Sequence, residues 1–316
     1  MAERMPGTAP EISAVITCYF EEKTIEKFHA GLSQALEATG RPYEIIFVND
    51  GSTDGTFEKL KAIYDKDPHV SAILDLFKNA GQAAAITAGL AEARGSIVLS
   101  MDSDLQLDPA DLGALLAEYD KGNDVVSGFR KDRKDSLRRI VPSKIANMIM
   151  RKASNTTFRD FGCTFKLYNA KLIRAFDLGP MHVFNPVTVI AKAQRCAEVP
   201  VRHYPRPHGK SGWTFTKLWN YQMEHIVGLS ERLFQYMALF AALLAALFSL
   251  RVAAGYFTPF RVLNTVSTGL VLNVLTIFFL FLFSALCIVG EFSIRSFLAL
   301  RQIPKYIVRD RITRNS

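Results

Sequence analysis

Residues 266–290 run for 25 positions without a charged side chain, and no other stretch restricts the fold so strongly. About 20 predominantly apolar residues suffice to cross the hydrocarbon core of a bilayer as a helix. A second run, Leu233–Phe257, is apolar apart from Gln235 and Arg251. Arg251 lies near its far end, where a long side chain can reach the headgroups. The pattern predicts two membrane-spanning helices, 233–257 and 266–290, joined by a short loop near 258–265. Such a hairpin returns the chain to the side it left. From Arg295 to Ser316 there are six basic residues against one acid, Asp310, which places this basic tail, 291–316, in the cytosol by the positive-inside rule. Met1–Pro10 holds no apolar core of signal-sequence length, so the first domain is expected on the cytosolic side as well.

Residues 1–214 have the mixed character of a globular domain. Ile12–Cys18, Tyr43–Asn49, Val70–Leu76 and Ser96–Met101 read as buried strands, and Val125–Gly128 as a further one. Thr24–Ala38, Thr56–Tyr64, Gln82–Ala93 and Pro109–Tyr119 read as helices between them. This alternation predicts an α/β domain with a parallel sheet covered on both faces. Ligands in such sheets bind beyond the carboxyl ends of the strands, where Tyr19–Glu22, Asp50–Gly55 and Asp102–Gln106 fall. Leu137–Lys152 and 215–232 are amphipathic and are expected to rest at a membrane surface.

The net charge is +8. It collects beside the apolar runs and in Lys131–Lys152, where eight basic residues face two acids. That distribution fits anionic headgroups or a lipid phosphate better than nucleic acid, for which the basic stretches lack aromatic stacking platforms. Four scattered cysteines without a Cys-x-x-Cys read as reduced thiols.

Asp102 and Asp104 flank Ser103 at the end of an apolar strand. Two carboxylates so close repel unless a cation or hydrogen-bond donors compensate. Mg2+ or Mn2+ takes one or two carboxylates and completes its shell with water and substrate phosphates, so Asp102, Asp104 and Gln106 are candidate ligands. Asn49–Thr56 superficially resembles a calcium loop, but Lys61 stands where the bidentate Glu belongs. A strand-end loop that holds a nucleotide through Asp50 fits better.

In order, Ile12–Glu22, Val48–Thr56, Lys78–Gly95, Met101–Pro109, Ser127–Arg130, Arg159–Lys166 and Arg206–Ser211 resemble the motifs of family-2 inverting glycosyltransferases. The likeness is to the polyprenyl-phosphate sugar transferases related to dolichyl-phosphate mannose synthase. Ile288–Phe292 and Pro304–Arg309 resemble the end of the bacterial two-span subgroup. The resemblance implies a GT-A, Rossmann-like domain followed by a transmembrane hairpin in a bacterial-type inner membrane. It implies metal-dependent transfer of a sugar from a nucleotide-sugar, UDP-hexose in type, to polyprenyl phosphate (undecaprenyl or dolichyl). Donor contacts fall to Tyr19, Glu21, Asp50, Asp102 and Gln106. Asp160 and Asp104 are the catalytic candidates, and Arg130, Arg202, Arg206, Lys210 and Ser211 are candidates for the acceptor phosphate. The family's first strand ends Pro-x-Tyr-Asn-Glu-Glu, and here Phe20 replaces the amide. The resemblance also admits self-association through the spans.

Transfer to a neutral lipid hydroxyl, a GDP-mannose donor and a non-catalytic nucleotide-sugar sensor stay open at this point. A processive polysaccharide synthase does not fit, since its Gln-x-x-Arg-Trp is missing and the nearest string is Gln194-Arg195-Cys196. A phosphate monoester has a second pKa of about 6 and is already largely a nucleophile at neutral pH. Asp160 is therefore expected to orient sugar or acceptor more than to remove a proton.

Overall fold

A computed structural model of the chain describes residues 9–130, 151, 156, 158–205, 240, 243, 268–300 and 303–314. Leu137–Lys152, 215–232, the first apolar run and the Arg206–Ser211 loop lie outside this description, apart from Arg151, Phe240 and Leu243. The chain divides into two compact units, Met1–Gln222 with Pro304–Ser316, and Met223–Ile303.

The first unit is built on strands β1 (Ile12–Cys18), β2 (Tyr43–Asn49), β3 (Val70–Leu76), β4 (Ile97–Asp102), β5 (Val125–Arg130), β6 (Lys166–Asn169), β7 (Cys196–Val201) and β8 (Val308–Thr313). They form one sheet in the order β7-β5-β6-β4-β1-β2-β3-β8. All seven residues of β1 and of β3 are buried, as expected of strands covered on both faces. Helix α1 (Ile25–Glu37) sinks Ile25, Phe28, Leu32 and Leu36 into the core, a one-faced stripe at helical spacing. Each such side chain contributes about 1.5–3 kcal/mol when fully buried. Helix α2 (Thr56–Lys66) buries Phe57, Leu60 and Ile63 in the same way.

Helix α3 (Gln82–Glu92) is different, because it buries Ala84, Ala85, Ala88 and Gly89. A Cβ at Gly89 would lie 2.4 Å from Val15 Cγ1 and 2.9 Å from Val48 Cγ2. Small residues let this helix sit close against β1 and β2. A 3-10 turn (Pro109–Asp111) leads into α4 (Leu112–Tyr119), and Ala170–Ile173 (α5) and Pro186–Lys192 (α6) follow.

The sheet is mixed rather than parallel. β1 pairs in parallel with both β2 and β4, but β6 runs antiparallel to β4 and β5. The strand order reverses around β1, so the ends of β1, β2 and β4 open a crevice of the kind that binds ligands.

The segment read as a basic tail is built otherwise. Helix α7 (Thr268–Leu300) continues through residue 300, and Val308–Thr313 pairs antiparallel with β3 as an edge strand. Three of its basic residues fasten it: Arg309 reaches Asp75 of β3, Arg311 reaches Glu92 of α3, and Arg314 lies over the Tyr64 ring of α2. Among the described residues no helix is long and apolar enough to cross a membrane, several side chains of α7 lying outside that description. Along α7, Phe279, Phe283 and Leu286 are each more than 60% exposed.

Candidate active site

Parallel register sets Thr17 opposite Asp102, and the Thr17 hydroxyl donates to Asp102 Oδ1 at 2.7 Å. Gln82, the first residue of α3, donates its amide to both Asp102 oxygens at 2.6 and 2.5 Å. Burial and the neighbouring Asp104 push the Asp102 carboxyl up, against bonds from Thr17, Gln82 and Thr164. Asp104 is buried and accepts from the Gln106 backbone N–H at 3.1 Å. Leu105, directly after the pair, has φ +58°, which turns the chain just beyond the two carboxylates.

A divalent cation fits this pair on electrostatic grounds, since it would relieve the burial and repulsion that oppose ionisation of Asp102. Among the described residues no group of three or more His, Cys, Asp or Glu side chains could hold a metal. An ion held by Asp102 and Asp104 would complete its shell with water and substrate phosphates.

At the end of β2, Asp50 bridges to the loop before α3. It accepts from Asn79 Nδ2 at 2.9 Å, Ala80 N–H at 2.7 Å and Gly81 N–H at 3.0 Å. Burial pushes its carboxyl up to about 6 even though the two backbone donors pull the other way. Gly51 makes this closure possible with φ +68°; a Cβ there would lie 2.3 Å from the Lys78 carbonyl carbon. Left-handed backbone and backbone overlap penalise any side chain. Gly51→Ala is expected to cost about 3 kcal/mol of stability, measured as a lower denaturant midpoint at unchanged slope.

Tyr19 and Phe20 are about half exposed at the crevice mouth, ring centroids 4.5 Å apart. Phe20 sits at φ +57°, held by a bond from its N–H to Ser52 Oγ at 3.0 Å. Glu21, the next residue and a candidate donor contact, turns inward. Its carboxylate is buried and bonded by the Thr24 hydroxyl at the start of α1.

One strand over, Ser100 of β4 faces Lys166 of β6, bringing the Asp160–Phe165 loop beside Asp102. Arg130, ending β5, grips Asp160 as a fork, Nε to Oδ2 at 2.7 Å and Nη2 to Oδ1 at 2.8 Å. Burial alone would raise Asp160, but Arg130 and the buried Lys166 outweigh it and hold the carboxyl below the usual range. Glu198 fixes the loop by accepting from the Arg159 N–H at 2.7 Å and the Asp160 N–H at 3.1 Å.

Arg202 is engaged elsewhere, with Nη1 3.0 Å from Asp108 and Nε donating to Asp111 at 2.9 Å. Gln106 enters through its backbone, which also accepts from Tyr204 N–H at 2.8 Å. Arg206, Lys210 and Ser211 lie outside the described residues. Cys18, Cys163, Cys196 and Cys287 are free thiols. Thr17, Gln82, Glu198 and Lys166 escaped the sequence reading. The strand register brings Thr17 to Asp102, and the start of α3 brings Gln82, which opens that helix directly after a glycine.

Residues 13–176 match the family described as Glycosyl transferase family 2. The chain belongs to glycosyltransferase family 2. Its mixed α/β sheet, with the carboxylate pair at the reversal of strand order, is the GT-A architecture of that family. Relatives from Salmonella paratyphi B and Salmonella newport, both named undecaprenyl-phosphate 4-deoxy-4-formamido-L-arabinose transferase, are 32% identical over 237 residues. These matches cover 74% of this chain and 72% of each relative. A glucosyl-3-phosphoglycerate synthase structure from Mycobacterium tuberculosis, with Mn2+, UDP-glucose and phosphoglyceric acid, is 19% identical at a TM-score of 0.49. That likeness covers 71% of this chain and 79% of the synthase. This family-2 glycosyltransferase is an enzyme.

Proposed function

We propose that this glycosyltransferase moves a sugar from a nucleotide-sugar, UDP-linked in type, onto polyprenyl phosphate, inverting the anomeric centre. One observation carries the reading: the Asp102–Asp104 pair at the end of β4 and the Arg130–Asp160 fork at the end of β5, with β6 between them, lie at the same end of the sheet. The names of the undecaprenyl-phosphate relatives support the acceptor. Tyr19 and Asp50 flank the donor's base, while Thr17 and Gln82 keep the Asp102 carboxylate aimed into the crevice. When bound by Asp102 and Asp104, Mg2+ or Mn2+ would neutralise the charge of the departing diphosphate.

Asp160 is a weak base, because Arg130 holds its carboxyl ionised well below neutral pH, whereas an effective general base has a pKa near the working pH. A polyprenyl phosphate needs no such base. A neutral lipid hydroxyl would, so the depressed Asp160 speaks against that acceptor. Arg130 orients Asp160 and, as a planar fork, is suited to a phosphate as well as a carboxylate.

The membrane attachment forms part of the same proposal. The chain leaves the catalytic unit after Gln222 and rejoins it at Pro304. An excursion that starts and ends on one unit crosses a bilayer an even number of times. Helix α7, with 33 residues, is about 50 Å long at 1.5 Å per residue, against a hydrocarbon core of about 30 Å. These features support a hairpin of 233–257 and 266–290 with the catalytic unit in the cytosol.

The test offers a panel of UDP- and GDP-sugars with undecaprenyl phosphate and Mg2+ or Mn2+, followed by mass spectrometry of the extracted lipid. A sugar phosphate on the polyprenol, abolished by chelation, is the expected product. Glycosylated neutral lipid alone would move the reading to a glycolipid synthase, and binding of donor without any product would make the protein a sensor.

A further inference from the structure

The Asp75 side chain on β3 is wholly buried, at 0% exposure. A carboxylate there is costly unless it is paired and hydrogen-bonded. Two groups meet it. Arg309 Nε, carried in by β8, donates to Oδ2 at 2.7 Å. Asn49 Nδ2, opposite Asp75 in the β2–β3 register, donates to Oδ1 at 2.7 Å. With its nitrogen committed to Asp75, Asn49 turns its amide oxygen to Ser52, whose hydroxyl donates to it at 2.5 Å. That fixes the Ser52 proton and leaves its oxygen to accept the Phe20 N–H at 3.0 Å.

Phe20 needs this bond. Its φ of +57° is costly for a bulky side chain, and it lies between Tyr19 and Glu21 at the crevice mouth. Each step of the relay dictates the polarity of the next. Arg309 donates to Asp75, Asp75 faces the nitrogen end of the Asn49 amide, and the oxygen end of that amide fixes the Ser52 hydroxyl. We propose that Arg309 is a positioning residue for the Tyr19–Glu21 donor loop, acting through Asp75, Asn49 and Ser52. The proposal rests on the reading that this loop meets the donor nucleotide. It links the strand that follows the apolar excursion to donor binding across the sheet.

The full-length protein tests it through three variants: R309Q, R309K and the double variant D75N/R309Q. Two readouts apply, amide hydrogen exchange of the peptide containing Phe20 and affinity for UDP. R309Q is expected to speed exchange at that peptide and weaken UDP binding, each about tenfold, as one charge-assisted link is lost. Turnover at saturating donor stays within about twofold of wild type, so the loss appears in KM rather than kcat. R309K restores part of the affinity. D75N/R309Q restores most, since an amide at 75 still accepts from Asn49 and needs no cation. Unchanged exchange and affinity in R309Q overturn the proposal, as does a double variant no better than R309Q. A faster exchange at Phe20 in R309Q, with no UDP or GDP binding even by wild type, supports the relay and overturns the donor reading instead.

Discussion

Replacing Asp102 with asparagine is expected to lower turnover about 10³-fold, the scale of losing one preorganised electrostatic contact to developing charge. The fold should survive. Asparagine keeps the shape, and its oxygen can still accept from the Thr17 hydroxyl and the Gln82 amide that meet Asp102 now. Burial and Asp104 oppose the negative charge at this position, so removing it lifts a penalty instead of breaking a bond. The melting temperature of D102N should therefore equal or exceed that of wild type while activity collapses. Wild type should gain thermal stability from Mn2+ and D102N should gain less, because binding to the folded state alone raises stability. A variant retaining more than a tenth of wild-type turnover would remove Asp102 from the donor site.

Asp160→Asn should cost about 10²-fold in turnover, the lower end of what a positioned acid–base or electrostatic group supplies. The informative part is the shape of the pH profile. Were Asp160 the base, raising pH would restore rate as hydroxide or an ionised acceptor took over. If Asp160 orients, the deficit stays constant from about pH 6 to 9, above the second phosphate pKa of about 6. Stability follows its own sign. The folded-state pKa of Asp160 is depressed, so its ionised form stabilises the fold above the unfolded value of about 3.9, and that contribution is lost as pH falls through the folded value. D160N should melt lower than wild type at pH 7, and the gap should close in acid. A deficit in rate cured by alkali would contradict the orienting role.

Much of the catalytic unit was legible because buried strands advertise themselves. Ile12–Cys18, Tyr43–Asn49 and Val70–Leu76 are predominantly apolar runs, and the structure keeps those boundaries. The Asp102–Asp104 pair was legible for the same reason, as carboxylates at the end of such a run. Strands β6 and β7 were not. Lys166–Asn169 carries a lysine whose burial depends on its neighbours, and Cys196–Val201 is only partly covered. Val308–Thr313 sets three consecutive charged residues, Arg309, Asp310 and Arg311, between Val308 and Ile312, which reads as solvated tail until β3 is placed beside it. The surroundings of Glu21 were not legible, for a local reason. A carboxylate after a strand looks available, whereas Thr24 three residues on captures it at a helix start.

The position of β8 in the chain also has a consequence for biosynthesis. β3 cannot acquire its outer neighbour until residue 313 has left the ribosome, long after the rest of the sheet has emerged. Until then its hydrogen-bonding edge is open, and open edges invite pairing with other chains. Nascent protein stalled or cleaved before Pro304 should therefore aggregate or attract chaperones, even with every residue of the crevice already made.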